Sequence, residues 1–463
     1  MAKTRMNRRM DRRRITRLHS RDIMTAARSA VPSERPTDRG RRLVGVDIAR
    51  FVAVFGMFNI HFGVPFATGG VEIWFAQVSS GRSTALFTFL AGVSLAMLSG
   101  RRTPLTGPAL RDARIRVAVR ACLLFLVGLA LAKATEATGF LLTVIIAFYG
   151  LYFLLAVPFL GLKARGLAVS ALVAAVLGPQ LSFLLRTWIE EDTPLSTFVH
   201  AANSLDPGHL IANLGFFDLL LLDFYPAASY LALVLAGMAV GRLDLRSKAV
   251  RLRMGISGAV LAVATYGLSG LLTSLAGARG NVLSEGSVPV EHPERLLAST
   301  SHSGTTFELI GALGAALAVL AVCLELSDRA GQWMRPLAKA GAMALTFYAL
   351  HALVMSWQIV VGGWTLSGAP ETLVELSKMG PDAVPSIPDL PAFPPDGRQP
   401  EGIVALVHTY MPELFLIFTL VFASMWSRVF KRGPLESAVS ESVQWITEQL
   451  PRLRALLATP SKV

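Results

Sequence analysis

Long apolar segments separated by short polar stretches dominate the sequence between residues 43 and 427. A window of about 19 residues locates them, and each is close to the roughly 20 residues with which an α-helix crosses a bilayer core. The ten segments cover residues 43–62, 83–99, 117–133, 140–160, 167–185, 225–241, 254–276, 305–327, 340–361 and 403–427. This pattern predicts an all-α membrane helix bundle of about ten transmembrane helices.

The composition supports the same class of protein. Of the 463 residues, 53% are hydrophobic and only 16% are charged, whereas soluble domains carry about 25% charged residues. An ordinary soluble enzyme of one or two domains is therefore excluded.

The net charge of +13 is concentrated at the start of the chain, where residues 1–42 hold 14 of the 44 Lys and Arg. This stretch lacks the apolar core and the small-residue cleavage site of a signal peptide. We interpret it as a disordered basic cytoplasmic tail that sets topology and touches anionic lipid, rather than as a nucleic-acid-binding segment. The predicted organisation is this tail, a membrane domain over 43–436, and a C-terminal segment over 437–463.

The distribution of Lys and Arg among the loops predicts the orientation of the bundle. With the tail inside, 36 of the 44 basic residues fall on the cytoplasmic side, as the positive-inside rule requires. Both termini are therefore expected in the cytoplasm. The Arg-rich composition with only two cysteines favours a bacterial plasma membrane.

Three segments between or after the spans have a distinct character. Residues 186–224 are acidic and residues 362–402 are rich in proline, and neither shows a sustained apolar period. We expect both to be irregular outer loops over an outward-facing cavity, with short helices possible. Residues 437–457 have apolar positions spaced by three or four, which predicts an amphipathic helix at the membrane surface.

The first predicted span contains three ionisable residues, Asp47, Arg50 and His61. Arg50 and His61 are eleven residues apart, so they differ by only about 20° around a helix and by about 16 Å along it, and Asp47 shares their face. Ionisable groups inside a membrane are costly and mark functional sites by default. The stripe offers a cation for phosphate near the cytoplasm and a base near the outer side; the alternative is a structural ion pair with an interfacial histidine.

Other polar residues fall in the outer half or middle of the predicted bundle, where they are candidates for an acceptor site or for supporting the histidine. They are Arg82, His302, Glu308, His351, His408 and Glu413. For each one taken singly, the alternative is a buried group satisfied by a neighbouring helix. Their dispersed spacing does not match a metal-ligand motif, so no metal is expected.

Two stretches of small residues predict close helix packing rather than chemistry. They are LAGMAVGR at 235–242 and GALGAALA at 311–318, which place Gly and Ala on helix faces where backbones approach each other.

The segment RLVGVDIARFVAVFGMFNIHF at 42–62 resembles the opening helix of heparan-alpha-glucosaminide N-acetyltransferase-like membrane proteins. It is more distantly similar to that of bacterial envelope O-acyltransferases, in which an Arg is followed eleven residues later by a functional His. Later stretches resemble bacterial members of the family in the same order: GRSTALFTFLAGVSLAM, FYPAASYLALVLAGMAVGRLDL, HSGTTFELIGALG, GAMALTFYALH and RGPLE. In the lysosomal enzyme of this family the catalytic histidine follows the first span. The corresponding loop here contains no histidine, and its one ionisable residue is Glu72.

The resemblance implies an integral membrane acyltransferase that uses acetyl-CoA or another acyl-CoA as co-substrate. The acceptor would be an envelope glycan or glycolipid on the far side. In this reading His61 is catalytic, either as a general base or as a transient carrier of the acyl group, and Glu308 stabilises its protonated form. Asp47 and Arg50 bind the donor. The loop residues Arg101 and Arg102 would assist with CoA phosphates, as would Arg111, Arg114 and Arg116.

Two alternatives from other classes stay open. A transporter or flippase for an envelope precursor would also place charges in the membrane, but no clear sequence repeat supports it. A noncatalytic scaffold would leave the polar stripe of the first span unexplained. The oligomeric state cannot be predicted from the small-residue faces.

Overall fold

The computed structural model describes residues 42–63, 78–137, 143–191, 193–277, 286–361 and 410–457. Contacts divide the chain into Met1–Leu43 and Val44–Val463, and the description below concerns the second unit. Residues 1–41 of the predicted basic tail and the whole predicted outer loop at 362–402 lie outside the described residues.

The regular secondary structure of the described residues is entirely helical, with no β-strand among them, which confirms the all-α class. The helices are α1 (Val44–Gly63), α2 (Arg82–Leu98), α3 (Gly107–Glu136), α4 (Ile145–Ala156), α5 (Ala164–Glu190), α6 (Pro194–Asn203), α7 (Pro207–Ala212), α8 (Ala227–Gly241), α9 (Lys248–Leu275), α10 (Thr306–Arg329), α11 (Arg335–Gly341), α12 (Ala344–Val361), α13 (Met411–Trp426) and α14 (Pro434–Leu457).

Each of the ten predicted apolar segments contains one of these helices, but they differ in length. Five helices, namely α1, α3, α5, α9 and α10, are long and apolar enough to cross a membrane. The pair α11 and α12 passes the same test together and is bent by 73° at the break. The other four segments form shorter apolar helices. The chain is therefore a multi-pass membrane protein, and ten crossings remain a prediction.

Close backbone contacts between helices explain the small-residue stretches. A Cβ added to Gly237 of α8 would overlap the carbonyl of Phe89 in α2, and one added to Gly92 would overlap the carbonyl of Val234. In the same way Gly314 of α10 lies against the backbone of α9 at Ala262. The predicted packing faces are thus confirmed.

Three helices carry continuous apolar faces that no described part of the protein covers. On α5 these include Val169, Leu172 and Leu177; on α9, Leu252, Ile256, Val260 and Val263; on α13, Ile417, Phe418 and Met425. Exposed apolar patches of this extent are unusual on a soluble monomer. They are the surfaces expected against lipid.

Two predictions about the loops are wrong in detail. Helix α3 begins at Gly107, ten residues before the predicted segment, so Arg111, Arg114 and Arg116 lie on a helix and not in a loop. The stretch 186–224 is more regular than expected, since α5 continues to Glu190 and the helices α6 and α7 follow.

The C-terminal segment forms a helix, α14, which begins at Pro434, before the predicted residue 437. Its Val439 and Val443 are buried, and it packs against α3 and α12. Part of its apolar stripe therefore contacts the bundle.

Candidate functional site

The first half of α1 carries a buried ion pair. Asp47 is 3% exposed, and its Oδ1 accepts a hydrogen bond from Arg50 Nη1 at 2.6 Å. Arg50 Nη2 donates to the hydroxyl of Ser94 in α2 at 2.8 Å. The guanidinium is thus held from two helices, and the predicted common face of Asp47 and Arg50 is what brings this pair together.

The second half of α1 brings His61 against His351 of α12, 290 residues away in sequence. His61 Nδ1 lies 3.2 Å from His351 Nε2, and the rings stack with centroids 5.4 Å apart. His351 is fully buried and also packs edge-on against Tyr348. Because neutral imidazole has one donor and one acceptor nitrogen, each histidine can fix the tautomer of the other.

Glu308 lies in the first turn of α10 and holds the loop before that helix. Its carboxylate accepts the backbone N–H groups of His302 at 2.8 Å and Gly304 at 2.6 Å, and the hydroxyl of Tyr230 at 3.1 Å. The Thr305 hydroxyl accepts the N–H of Glu308 at 3.1 Å, which caps the helix. Thr305 and Glu308 match the Thr-x-x-Glu pattern of a capping box, but the Glu308 carboxylate bonds the N–H groups of His302 and Gly304 rather than that of the N-cap residue Thr305.

His302 is set in this loop with a strained backbone, at φ 64°. Its ring lies between Phe224 and Tyr225, with centroids 4.8 and 5.0 Å away. Its Nδ1 is buried and has no hydrogen-bond partner among the described residues. Burial, with a smaller contribution from the nearby His61, lowers the pKa of His302 to about 3, so the ring is neutral at physiological pH.

Arg82, at the start of α2, is joined to α9. Its Nε donates to the hydroxyl of Tyr266 at 3.1 Å, and its guanidinium lies 4.6 Å from the centre of that ring. This cation–π contact is adjacent to the His302 loop, because the neighbouring Gly81 packs against Ser301.

Buried tyrosines pack close to these groups. The Tyr149 hydroxyl is 3.2 Å from that of Thr88, the Tyr348 hydroxyl accepts the N–H of Ile145 at 3.1 Å, and Tyr152 donates to the carbonyl of Tyr225 at 2.7 Å. Tyr149 and Tyr152 lie three residues apart on α4, whereas Tyr348 lies on α12, so only the tertiary packing brings the three rings together.

The turn after α2 places Arg101 and Arg102 in different surroundings. Arg102 is exposed and forms an ion pair with Asp244 at 3.1 Å. Arg101 adopts φ 55°, and its carbonyl accepts a hydrogen bond from Arg242 at 2.8 Å.

Arg242 is the residue that fixes this turn. It is 4% exposed and also donates to the carbonyls of Ala96, Ser99 and Leu160 and to the Ser99 hydroxyl. From the sequence, Arg242 was only one of the basic residues predicted on the cytoplasmic side. An Arg that directly closes an apolar helix is a signal for such capping of helix carbonyls.

Of the two remaining candidates, the structure describes only Glu413. Glu413 lies in the first turn of α13, where it is exposed. His408 lies outside the described residues. Within the part of the chain that the structure describes, no cluster of three or more His, Cys, Asp or Glu residues could hold a metal ion.

The fold and these buried polar groups define a multi-pass helical membrane protein with an ionisable site inside the bundle. The family model described as heparan-alpha-glucosaminide N-acetyltransferase, catalytic, matches residues 42–273, half of the chain, and the chain belongs to this family. A second model, described as a protein of unknown function (DUF418), matches residues 258–372. No curated protein matches the chain. The resemblance seen in the first span is thereby confirmed.

Proposed function

We propose that the protein is a membrane acetyltransferase that takes an acetyl group from acetyl-CoA on the cytoplasmic side. The acceptor is an amine or hydroxyl group of an envelope glycan or glycolipid on the other side of a bacterial plasma membrane. The family to which the chain belongs, with its description as an N-acetyltransferase, supports the reaction class.

The observation that carries this proposal is the contact between His61 and His351. His61 lies on α1, the same helix as Arg50, whose guanidinium is held by Asp47 and Ser94. The two ends of the stripe on α1 are about 16 Å apart along the helix axis. A long acyl-CoA arm with its phosphates at Arg50 would run along α1 toward His61. The geometry thus supports a donor phosphate site and a proton acceptor connected by one helix.

In the proposed reaction, His61 Nδ1–H donates to His351 Nε2, which leaves the lone pair of His61 Nε2 available. His61 Nε2 takes the proton of the acceptor group as its oxygen or nitrogen forms a bond to the thioester carbonyl carbon. The tetrahedral intermediate then loses the CoA thiolate as the C–S bond breaks, and the thiolate receives the proton from His61. The products are acetylated acceptor and free CoA thiol.

On the donor side, Arg50 is the proposed phosphate-binding cation, with Asp47 and Ser94 fixing its guanidinium. A guanidinium binds phosphate through two parallel hydrogen bonds, which makes such orientation useful. Arg101 and Arg102 stay proposed contacts for CoA phosphates at the turn after α2.

On the acceptor side, Arg82 and His302 are the proposed polar contacts. Glu308 was expected from the sequence to stabilise protonated His61. Its hydrogen bonds to the His302 and Gly304 backbone instead support a role in holding the His302 loop, and we propose that it acts through that loop.

The test is acetyl transfer by the purified protein in liposomes, measured as release of CoA thiol with glucosamine as acceptor. His61→Ala should lower the rate about 10²- to 10⁴-fold, the usual contribution of a general base, and His351→Ala should lower it less. His200→Ala is the matched control, because His200 lies on the separate helix α6. Full activity of His61→Ala in folded protein would refute the proposed mechanism.

The alternative is a transporter or flippase of an envelope precursor, and the bent pair α11 and α12 favours it, since broken helices are typical of transporter binding sites. The two functions differ in their need for CoA. Saturable binding of acetyl-CoA that Arg50→Ala weakens supports the transferase, whereas no binding of acetyl-CoA or longer acyl-CoAs would favour the transporter.

A further inference from the structure

Helix α12, which carries His351, begins at a break between two helices. Helix α11 ends at Gly341, and α12 starts at Ala344 after a bend of 73°. The first N–H groups of any helix lack partners within the helix. In a membrane protein such groups need a partner from elsewhere in the protein.

Glu436, two residues after the start of α14, supplies that partner. Its Oε1 accepts the N–H groups of Leu345 at 2.8 Å and Thr346 at 3.2 Å, and its Oε2 accepts the Thr346 hydroxyl at 2.6 Å. The N–H of Leu435 donates to the Thr346 hydroxyl oxygen at 3.1 Å. A carboxylate at a helix N-terminus is favoured both by these charge-assisted bonds and by the helix dipole.

The absence of a side chain at Gly433 leaves room for the Glu436 carboxylate. A Cβ on Gly433 would overlap Glu436 Oε2 and would lie 3.0 Å from the side chain of Met343 at the break. The break itself is tightly seated, because a Cβ on Gly341 would overlap the carbonyl of Asp47 in α1. The start of α12 is thus fixed between α1 and the C-terminal helix.

We propose that Glu436 is a positioning residue that sets the start and orientation of α12 and thereby the approach of His351 to His61. His351 is seven residues after Ala344, about 10 Å along the helix axis. A change in the first turn of α12 is therefore transmitted to the imidazole through only two turns of helix. Glu436 is the last residue of the RGPLE stretch, which thereby has a structural role. The link between Glu436 and catalysis rests on the proposed function.

The structural part of the proposal is tested by hydrogen exchange of the full-length protein in liposomes, followed by mass spectrometry of the peptide that spans 343–350. Glu436→Ala should speed exchange of the first turn of α12 about 3- to 30-fold, the loss expected for a removed helix cap. Glu436→Gln should have a smaller effect. Glu448→Gln is the matched control, because Glu448 lies exposed on the same helix and accepts a hydrogen bond from Gln444, one turn earlier.

Gly433→Ala provides a second route to the same perturbation, because the added methyl group displaces the Glu436 carboxylate without removing it. If Glu436→Ala does not fold, the same peptide is followed in Gly433→Ala and Glu436→Gln. Unchanged exchange of the 343–350 peptide in the folded variants would overturn the proposal.

The catalytic part is tested by a double-mutant cycle with His351→Ala, using the thiol-release assay. If Glu436 acts through His351, Glu436→Ala lowers kcat about tenfold or more in the wild-type background and hardly further in the His351→Ala background. Losses that multiply would overturn the positioning role. If the wild-type protein shows no transfer, the proposed function fails, and the exchange measurement still decides whether Glu436 orders α12.

Discussion

At the scale of single residues, Arg50 shows how the sequence pattern and the structure complement each other. Its guanidinium uses separate nitrogens for Asp47 and Ser94, so its orientation is fixed by two helices at once. The ion pair with Asp47 is predictable, because residues three apart on a helix are neighbours.

We expect Arg50→Lys to weaken acetyl-CoA binding although the charge is kept. A single ammonium group cannot reproduce the fork of the guanidinium, and loss of one hydrogen bond to a charged group costs about 1.5–3 kcal/mol. The dissociation constant should therefore rise roughly tenfold or more. Calorimetric titration with acetyl-CoA measures this change.

Arg329→Lys serves as the control for Arg50→Lys. Arg329 is an exposed residue in the last turn of α10, and it pairs with Glu325 at the surface. Exposed pairs contribute about 0–1 kcal/mol, so this variant should bind acetyl-CoA as the wild type does. Equal affinities of the Arg50→Lys variant and the wild type would contradict the assignment of Arg50 to the donor site.

The contacts that sequence reasoning could not provide are those between distant segments. Helical periodicity places Arg50 and His61 on one face, but it carries no information on the partner across the bundle. His351 is 290 residues from His61 in sequence, and Glu436 is 90 residues from Thr346. Each was visible only as a polar residue near an apolar segment, so three-dimensional packing was needed to pair them.

At the scale of helices, the apolar pattern located the main elements but not the short ones. Helices α6 and α7 were missed as definite elements because their apolar content is low. Each nevertheless has a start signal in the sequence, a capping residue followed by proline, namely Thr193-Pro194 and Asp206-Pro207. The capping side chains accept backbone N–H groups as such signals predict.

The contact between α2 and α8 depends on glycine, and a substitution there should be costly. In Gly237→Ala the new methyl group would overlap the carbonyl of Phe89. Because the methyl carbon is bonded directly to one helix backbone and the carbonyl belongs to the other, the helices must separate. Overpacking of this kind costs typically about 1–3 kcal/mol. We expect a lower midpoint of thermal unfolding in detergent, with less folded protein recovered.

Gly267→Ala is the matched control for the α2–α8 contact. Gly267 also lies inside a helix, α9, but a Cβ there meets nothing within 4 Å. Since Ala is favoured over Gly in a helix by about 1 kcal/mol, this variant should be neutral or slightly more stable. A similar loss of stability in both variants would contradict the assignment of the loss in Gly237→Ala to the close contact between α2 and α8.

At the scale of the whole molecule, the open question is how many helices cross the membrane. The apolar faces of α5, α9 and α13 and the one-sided distribution of Lys and Arg agree with a multi-pass bundle. Length alone supports five or six spans, because α2, α4, α8 and α13 are short. Hydropathy identifies all ten segments, yet it cannot distinguish a short crossing helix from one that enters the protein interior without crossing.

Labelling of introduced cysteines distinguishes the two topologies. Between Leu205 and Trp333, both highly exposed, the ten-span prediction places three spans and the length criterion only two, α9 and α10. In a background with Cys122→Ala and Cys323→Ala, ten spans require that an impermeant maleimide label Leu205→Cys in intact bacteria and Trp333→Cys only after permeabilisation. Labelling of both or of neither in intact cells would mean that α8 does not cross. Labelling of Trp333→Cys alone would reverse the predicted orientation and place the His302 loop on the cytoplasmic side.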